Sequence, residues 1–171
     1  RRVDLVDIPV AENVARVTIA ISPFEEAQRA LERKGAQDVL ADLLAYQAEL
    51  GALNVVAWGQ QDYEASLEQA NIGDAYYRAQ DFILASESYE AGLEGLRTLI
   101  DSTPLVVEQA LIEGERALID LDSPVALAKY TLALLLDPGN ELAQIGEQRA
   151  LTLDDVSTLL RKANELVEDG E

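Results

Sequence analysis

Histidine, cysteine and methionine are all absent from this chain of 171 residues. Without histidine there is no imidazole to act as a general base near neutral pH. Without cysteine there is no thiol nucleophile, no disulfide and no thiolate metal ligand. No apolar run approaches the roughly 18 residues that a membrane-spanning helix needs. The sequence therefore excludes thiol and imidazole chemistry and contains no candidate membrane-spanning helix.

Basic residues are also scarce, since 13 lysines and arginines stand against 32 acidic residues and give a net charge of −19 at pH 7. Such a field repels nucleic acid and anionic lipid surfaces and attracts basic partners. We therefore expect no nucleic-acid partner and no direct insertion of this segment into a membrane.

Carboxylates are the one abundant chemical group, but no pair stands out as a site. Asp120 with Asp122 and Asp154 with Asp155 lack the spacing of a calcium loop, and their positions are those of helix caps and first-turn charges. No glycine-rich phosphate loop occurs. The sequence predicts no enzyme, no metal site and no cofactor.

The first 22 residues differ from the rest, because they are rich in valine and isoleucine and contain Pro9. This pattern fits a short strand or an extended arm. From Ser22 onward the pattern is helical, and Ser22 with Glu25 has the form of a capping box. The predicted fold class is all-α.

Glycine, proline and capping residues divide the helical part. Gly35 is expected to interrupt the first helix and Gly51 to end it. We expect seven or eight antiparallel helices with the following boundaries: a helix over about Gln60–Ala79, one capped by Asp81, one opened by Thr103-Pro104 and reaching about Leu121, one over Val125–Leu136, a turn at Asp137–Asn140, one capped by Asn140 and reaching about Leu151, and one opened by Thr152 and running towards Gly170.

An internal repeat connects two of these regions. When Gly73–Leu93 is placed over Gly114–Leu134, the small, aromatic and capping residues coincide. The matched pairs are Gly73 with Gly114, Asp81 with Asp122, Ala85 with Ala126, Tyr89 with Tyr130, Gly92 with Ala133 and Leu93 with Leu134. Small residues let two helices approach closely, and tyrosine and leucine fill the gap between helix pairs. A third copy is expected to begin with Ala163 at the glycine position.

These residues resemble the signature of the tetratricopeptide repeat. The first copy has Gly73, Tyr76, Ala85, Tyr89 and Gly92, and the second adds Ala126, Tyr130, Ala133 and the closing Pro138. The sequence departs from the family at Gln69, where tryptophan is favoured, and at Glu113, where leucine is favoured. The two glycines are 41 positions apart, beyond the family's usual spacing of about 34, which predicts elongated helices.

The resemblance implies antiparallel helix pairs stacked as an irregular right-handed superhelix. The expected organisation is an arm or linker at 1–22, N-terminal helices capping the stack at 23–65, two repeats at 66–140, and an extra helix plus the first helix of an incomplete third repeat at 141–171. Tyr76, Tyr89 and Tyr130 are expected in the core. Trp58 is expected to close the N-terminal end of the stack, with a ligand platform as the alternative.

The resemblance further implies a non-enzymatic module that binds a basic and apolar peptide or protein on a concave face. The residues that map there are Leu67, Ala70, Asp74, Tyr77, Arg78, Glu108, Leu111, Glu115 and Leu118, with Leu160, Asn164 and Val167 from the third copy. Tyr77, Leu111 and Leu118 are the expected anchors.

The alternative is a structural spacer or oligomerisation segment of a larger, membrane-anchored bacterial envelope protein, for which the chain would be a soluble periplasmic portion. Its absent initiating methionine and Arg1-Arg2 suggest this. The helix of Leu159, Leu160, Ala163 and Leu166 lacks a partner, and we expect its apolar face to be covered by folding back, by self-association or by a crystal contact.

Overall fold

The computed structural model describes residues 22–168, and its all-helical architecture confirms the predicted fold class. Within that range there are five α-helices, one 3-10 turn and no strand. The expected arm or strand at residues 1–22 falls almost wholly outside the described residues. The elements are α1 (Pro23–Ala52), the 3-10 turn (Val55–Ala57), α2 (Gln60–Arg78), α3 (Phe82–Ile119), α4 (Ser123–Leu136) and α5 (Glu141–Glu168).

Side-chain caps fix where the helices begin, as the sequence predicts. The Ser22 hydroxyl accepts a hydrogen bond from the Glu25 amide at 3.2 Å, and the Glu25 carboxylate accepts one from the Ser22 amide at 3.0 Å. Asp81, Asp122 and Asn140 each accept a hydrogen bond from the amide three residues later. These bonds satisfy amides that the first turn of a helix leaves without partners.

The long helix α3 connects two hydrophobic cores. Its N-terminal half packs against α1 and α2, and its C-terminal half packs against α4 and α5. The first core contains Ala36, Leu43, Leu50, Val55, Ala85, Tyr89, Leu93, Leu96 and Leu99. The second core contains Val107, Ala110, Ala117, Leu118, Ala126, Tyr130, Ala133, Ala143 and Ala150.

The internal repeat is also a structural repeat. At the end of α2, Asp81 donates its amide to the Tyr76 carbonyl and Gln80 donates to that of Tyr77. The same two bonds recur 41 positions later at the end of α3, from Asp122 to the Ala117 carbonyl and from Leu121 to that of Leu118. This pair of bonds is the Schellman ending of a helix. Gln80 and Leu121 both adopt positive φ, of 64° and 59°. The first repeat unit is α2 with the N-terminal half of α3, and the second is the C-terminal half of α3 with α4. The two helix-turn-helix units therefore share their turn geometry.

The expected break at Thr103-Pro104 is wrong, because α3 continues through Pro104. Proline lacks the amide that would bond to the Ile100 carbonyl. The Thr103 hydroxyl donates to that carbonyl instead, at 2.8 Å. The second helix of the first unit and the first helix of the second unit are consequently one continuous helix.

Two further expected helix boundaries are wrong. The helix α1 passes through Gly35, which lies in open space, and ends next to Gly51, at Ala52. The helix α5 passes through Thr152, whose hydroxyl donates to the Gln148 carbonyl at 2.9 Å and so does not cap a new helix. The described residues accordingly form five long helices and not seven or eight.

Candidate functional site

The glycine–tyrosine contact of each repeat unit lies beside an acidic residue of the predicted groove. A Cβ atom added at Gly73 would lie 2.5 Å from the Tyr89 ring, and one at Gly114 would lie 2.8 Å from the Tyr130 ring. Tyr89 donates its hydroxyl hydrogen to Asp74 at 2.7 Å, and Tyr130 donates to Glu115 at 3.2 Å. Ala85, Ala126 and Ala133 are fully buried as predicted. Asp74 and Glu115 are therefore engaged within the protein.

The two adjacent tyrosines of α2 have roles opposite to those predicted. Tyr76, expected in the core, keeps 37% of its surface exposed. Tyr77, expected to face an open groove, is half-buried against the first core. Its hydroxyl accepts a hydrogen bond from Gln37 of α1 at 2.8 Å, and its ring packs edge-on against Phe82 at 5.1 Å. The presence of α1 reverses which of the two side chains is covered.

Other members of the predicted groove are also partly or wholly covered. Leu118 is only 8% exposed and belongs to the second core, so its assignment as an open anchor is wrong. Ala70 packs against the first core, and Leu67 is half-buried, whereas Arg78 is exposed. Leu160, Asn164 and Val167 lie exposed on α5.

Glu108 and Leu111 do line clefts, but with different neighbours from those predicted. A cleft of about 370 Å³ contains both of them together with Pro104 and the end of α4. Glu108 also borders a larger cleft of about 700 Å³ on the neighbouring side of α3. Neither cleft contains a residue of α2. Of the predicted groove residues, these two clefts bring together only Glu108 and Leu111.

The larger of these two clefts, here called the central cleft, lies where the two repeat units meet. The 3-10 turn, the middle of α3 and the middle of α4 form its walls. Its lining consists of Ala57, Trp58, Ser102, Leu105, Val106, Glu108, Gln109, Ala110, Ile112, Glu113, Lys129 and Leu132. Leu105 and Ile112 keep 69% and 57% of their surface exposed. The cleft therefore offers uncovered apolar surface next to an indole ring.

Trp58 lies at the junction of the two repeat units and not at the N-terminal end of the stack, and its use as a ligand platform stays a prediction. It packs against the first core while it also lines the central cleft. Its ring nitrogen donates to the Leu53 carbonyl at 3.0 Å, which holds the indole in one orientation. A fixed aromatic ring loses little conformational entropy when a ligand contacts it.

The charged groups of the central cleft are partly neutralised by one another. Lys129 of α4 forms an ion pair with Glu113 of α3 at 2.5 Å, and Gln109 donates to the same carboxylate at 2.7 Å. The hydrogen bonds from Gln109 and Lys129 lower the pKa of Glu113. Within residues 22–168, Glu108 forms no ion pair. Its carboxylate is the acceptor that the cleft can offer to a ligand.

The sequence contained a signal for this cleft that the repeat alignment obscured. Leu105 and Ile112 are seven positions apart and so lie on one side of α3, out of phase with the buried Val107, Ala110 and Gly114. Apolar residues outside the core stripe of an amphipathic helix indicate a second covered or binding face. Lys129 carried no comparable signal, because its pairing with Glu113 depends on how α3 and α4 pack.

The groups with shifted pKa values connect helices to one another. Burial, and then the Asp74 carboxylate, raise the pKa of Tyr89 well above its usual value near 10. Burial and Glu115 raise the pKa of Tyr130, while the hydrogen bond from Arg149 lowers that of Glu115. Each of these shifts has a local cause in a contact between two helices.

The carboxylate pairs serve as caps and links between helices. Asp122 caps α4, as predicted. The expected helix start at Asp154 and Asp155 is wrong, because both lie inside α5, where Asp154 accepts a hydrogen bond from the buried Ser123 at 3.0 Å. Among residues 22–168 no cluster of three or more possible metal ligands occurs. No helix in that part of the chain has the length and apolar content needed to cross a membrane.

Comparison with protein-family models, with curated proteins and with solved structures gave no significant match.

Proposed function

We propose that this chain is a non-enzymatic protein-interaction module that receives an apolar peptide segment with a basic residue in the central cleft. The observation that carries the proposal is the exposure of Leu105 and Ile112 beside the fixed Trp58 ring and the Glu108 carboxylate. Apolar anchors with a few polar groups at their edge are the usual composition of a peptide-binding cleft.

We further propose that its two repeat units are of the tetratricopeptide type. The support is the recurrence, at a spacing of 41 residues, of the glycine–tyrosine contact and the Schellman turn. The shared helix α3 departs from the usual arrangement of separate helix pairs. That departure opens the central cleft in the middle of α3 instead of along a row of first helices.

Charge supports a basic ligand. The net charge of −19 raises the local concentration of cationic partners and speeds their encounter with the protein. Because Glu113 is already paired with Lys129, a ligand cation would contact Glu108. Binding energy would come mainly from Leu105, Ile112 and Trp58, and Glu108 would determine the preference for charge.

The non-enzymatic part of the proposal is supported by the titratable groups. Tyr89, Tyr130, Glu113, Glu115 and Arg149 owe their shifted pKa values to burial or to hydrogen bonds and ion pairs with neighbouring side chains. Of these, only Glu113 lines the central cleft, where Lys129 and Gln109 already engage it.

A peptide-display selection against the immobilised protein tests the proposal. We expect enriched peptides to share two or more apolar residues and a lysine or arginine. Fluorescence polarisation with one such peptide should show at least about tenfold weaker binding to the Leu105→Ser, Ile112→Ser variant, because truncated anchors typically cost more than 1 kcal/mol each.

The matched control is Leu31→Ser, Ile83→Ser, which changes two residues of similar exposure, 72% and 55%, outside the cleft. It should bind like the parent protein. Glu108→Lys should weaken the same peptide and favour acidic ones. Peptides that bind equally well to all variants, or a selection that enriches nothing, would refute the central cleft as the site.

A further inference from the structure

The face of α5 that points away from α4 is apolar and uncovered. Val156, Leu159, Leu160 and Val167 keep 47%, 65%, 60% and 69% of their surface exposed. Val156 and Leu159 lie on the opposite side of the helix from Ala143, Gly146 and Ala150, which are buried, whereas Leu160 and Val167 lie at the edge of this face. In the N-terminal half of α5, between Gln144 and Val156, the helix borders a shallow cavity of about 680 Å³ lined mainly by apolar atoms.

The spacing along this face is that of a coiled-coil seam. Thr152, Val156, Leu159 and Ala163 follow one another at intervals of four, three and four residues. This alternation keeps all four side chains on the line along which a second helix can pack. Asp155 and Lys162 lie seven positions apart at the edge of the seam, at equivalent heptad positions.

One arrangement of two such helices satisfies both the apolar and the charged residues. If a second α5 runs antiparallel with Val156 opposite the other copy's Leu159, then Thr152 lies opposite Ala163. The same register brings Asp155 near Lys162 along one edge of the seam and Leu153 near Leu160 along the other, each pair offset by two residues from directly opposed positions. Each of these pairs occurs twice because the arrangement has a two-fold axis, as isologous dimers do.

We infer that the partner of this face is a second copy of the same chain, bound antiparallel through α5 in this register. Two identical copies of this segment complement each other, whereas an unrelated partner would need a separate sequence with the matching pattern. Each copy carries a net charge of −19, but at physiological salt the electrostatic repulsion between the copies is screened beyond about 8 Å. The contact pairs Asp155–Lys162 then lie within the range where attraction acts.

Sedimentation equilibrium at physiological salt, with the whole chain, tests the association. We expect a reversible dimer for the parent protein and at least a tenfold larger dissociation constant for Leu159→Asp. The matched control, Ile83→Asp, places the same charge at an exposed apolar residue of α3 and should dimerise like the parent. A parent protein that is monomeric throughout, or a Leu159→Asp variant that still dimerises fully, would overturn the inference.

A charge exchange tests the register without altering the apolar seam. Asp155→Lys places two lysines opposite each other in each pair, and Lys162→Asp places two acids opposite each other, so both variants should dimerise more weakly. The variant with both changes in one chain restores opposite charges and should recover the parent's dissociation constant. A double variant as weak as the single ones would overturn the antiparallel register. Circular dichroism should show the same helix content for all of them.

The dimer is independent of the central cleft. Leu159→Asp should leave binding of the selected peptide unchanged, and Leu105→Ser, Ile112→Ser should leave the dissociation constant of the dimer unchanged. The failure of either proposal is therefore distinguishable from the failure of the other.

Discussion

In the first repeat unit Tyr89 packs on Gly73 and donates to Asp74; in the second Tyr130 packs on Gly114 and donates to Glu115. The turns between the helices have the same hydrogen bonds, and each has a residue with positive φ at the same position. The two units differ in the helix that completes each core. The helix α1 completes the first core with Leu43 and Leu50, whereas α5 completes the second with Ala143, Gly146 and Ala150.

This difference has a structural consequence at the second tyrosine. Gly146 of α5 packs directly on the Tyr130 ring, which therefore lies between two glycines. Arg149 of α5 then forms two hydrogen bonds to Glu115, at 2.6 and 3.2 Å. Small residues allow α5 to approach closely, and the close approach brings an arginine to the acid of the repeat junction. The tyrosine junction is common to both units, while its surroundings depend on the third helix.

The largest expected effect comes from removing the buried tyrosine that occupies the equivalent position in each unit. Tyr89→Ala or Tyr130→Ala should lower the free energy of unfolding by about 3–5 kcal/mol, because each deletes a buried ring and leaves a cavity. Urea denaturation followed by circular dichroism measures this loss. The control Tyr76→Ala should cost less than about 1 kcal/mol, since that side chain is partly exposed. A larger loss for Tyr76 than for Tyr89 would reverse our assignment of the core tyrosine.

A smaller effect distinguishes glycines that lie against a ring from a glycine in open space. Gly146→Ala should destabilise the protein by about 1–3 kcal/mol, because the added methyl group overlaps the Tyr130 ring. Gly35→Ala should instead stabilise it by about 0.4–1 kcal/mol, since it restricts the unfolded chain and meets no neighbour. Thermal denaturation of both variants gives the sign of the stability change for each. Equal signs would contradict the close packing of α5 on Tyr130.

Acid should affect the second unit through Glu113 and Glu115. The folded pKa of each is lowered, so its contribution to stability is present above the usual pKa near 4.5 and is lost as the pH falls through the folded pKa. We expect Glu113→Gln, Glu115→Gln to flatten the acid side of the stability curve. Chemical denaturation at a series of pH values measures the slope. A variant with the same slope as the parent would show that these ion pairs contribute nothing in solution.

The smallest effect concerns the two turns. Gln80→Gly and Leu121→Gly should each stabilise the protein by up to about 1 kcal/mol, because glycine adopts positive φ without the steric cost that other residues carry. Leu121→Ala is the control: it removes the same exposed side chain but keeps the cost. If Leu121→Ala stabilises as much as Leu121→Gly, the gain does not come from backbone conformation.

The sequence by itself determined the features that depend on neighbours along the chain. Ser22, Asp81, Asp122 and Asn140 cap helices because their side chains reach the amide three residues later. The 3.6-residue periodicity of apolar positions predicted the all-helical fold, and small residues at matched positions predicted where a tyrosine ring packs. These interactions are local or repeat with a fixed spacing, so a linear sequence displays them.

Only the tertiary structure decided which surfaces are covered and where helices continue. Thr103 can either cap a new helix or supply the hydrogen bond that Pro104 lacks, and packing of α3 against four other helices favours the continuous form. The repeat pattern predicts Tyr76 in the core and Tyr77 in the groove, but α1 covers Tyr77 and leaves Tyr76 partly exposed. The central cleft exists because the 3-10 turn, α3 and α4 meet there. Such outcomes depend on burial by residues distant in sequence, which no local pattern specifies.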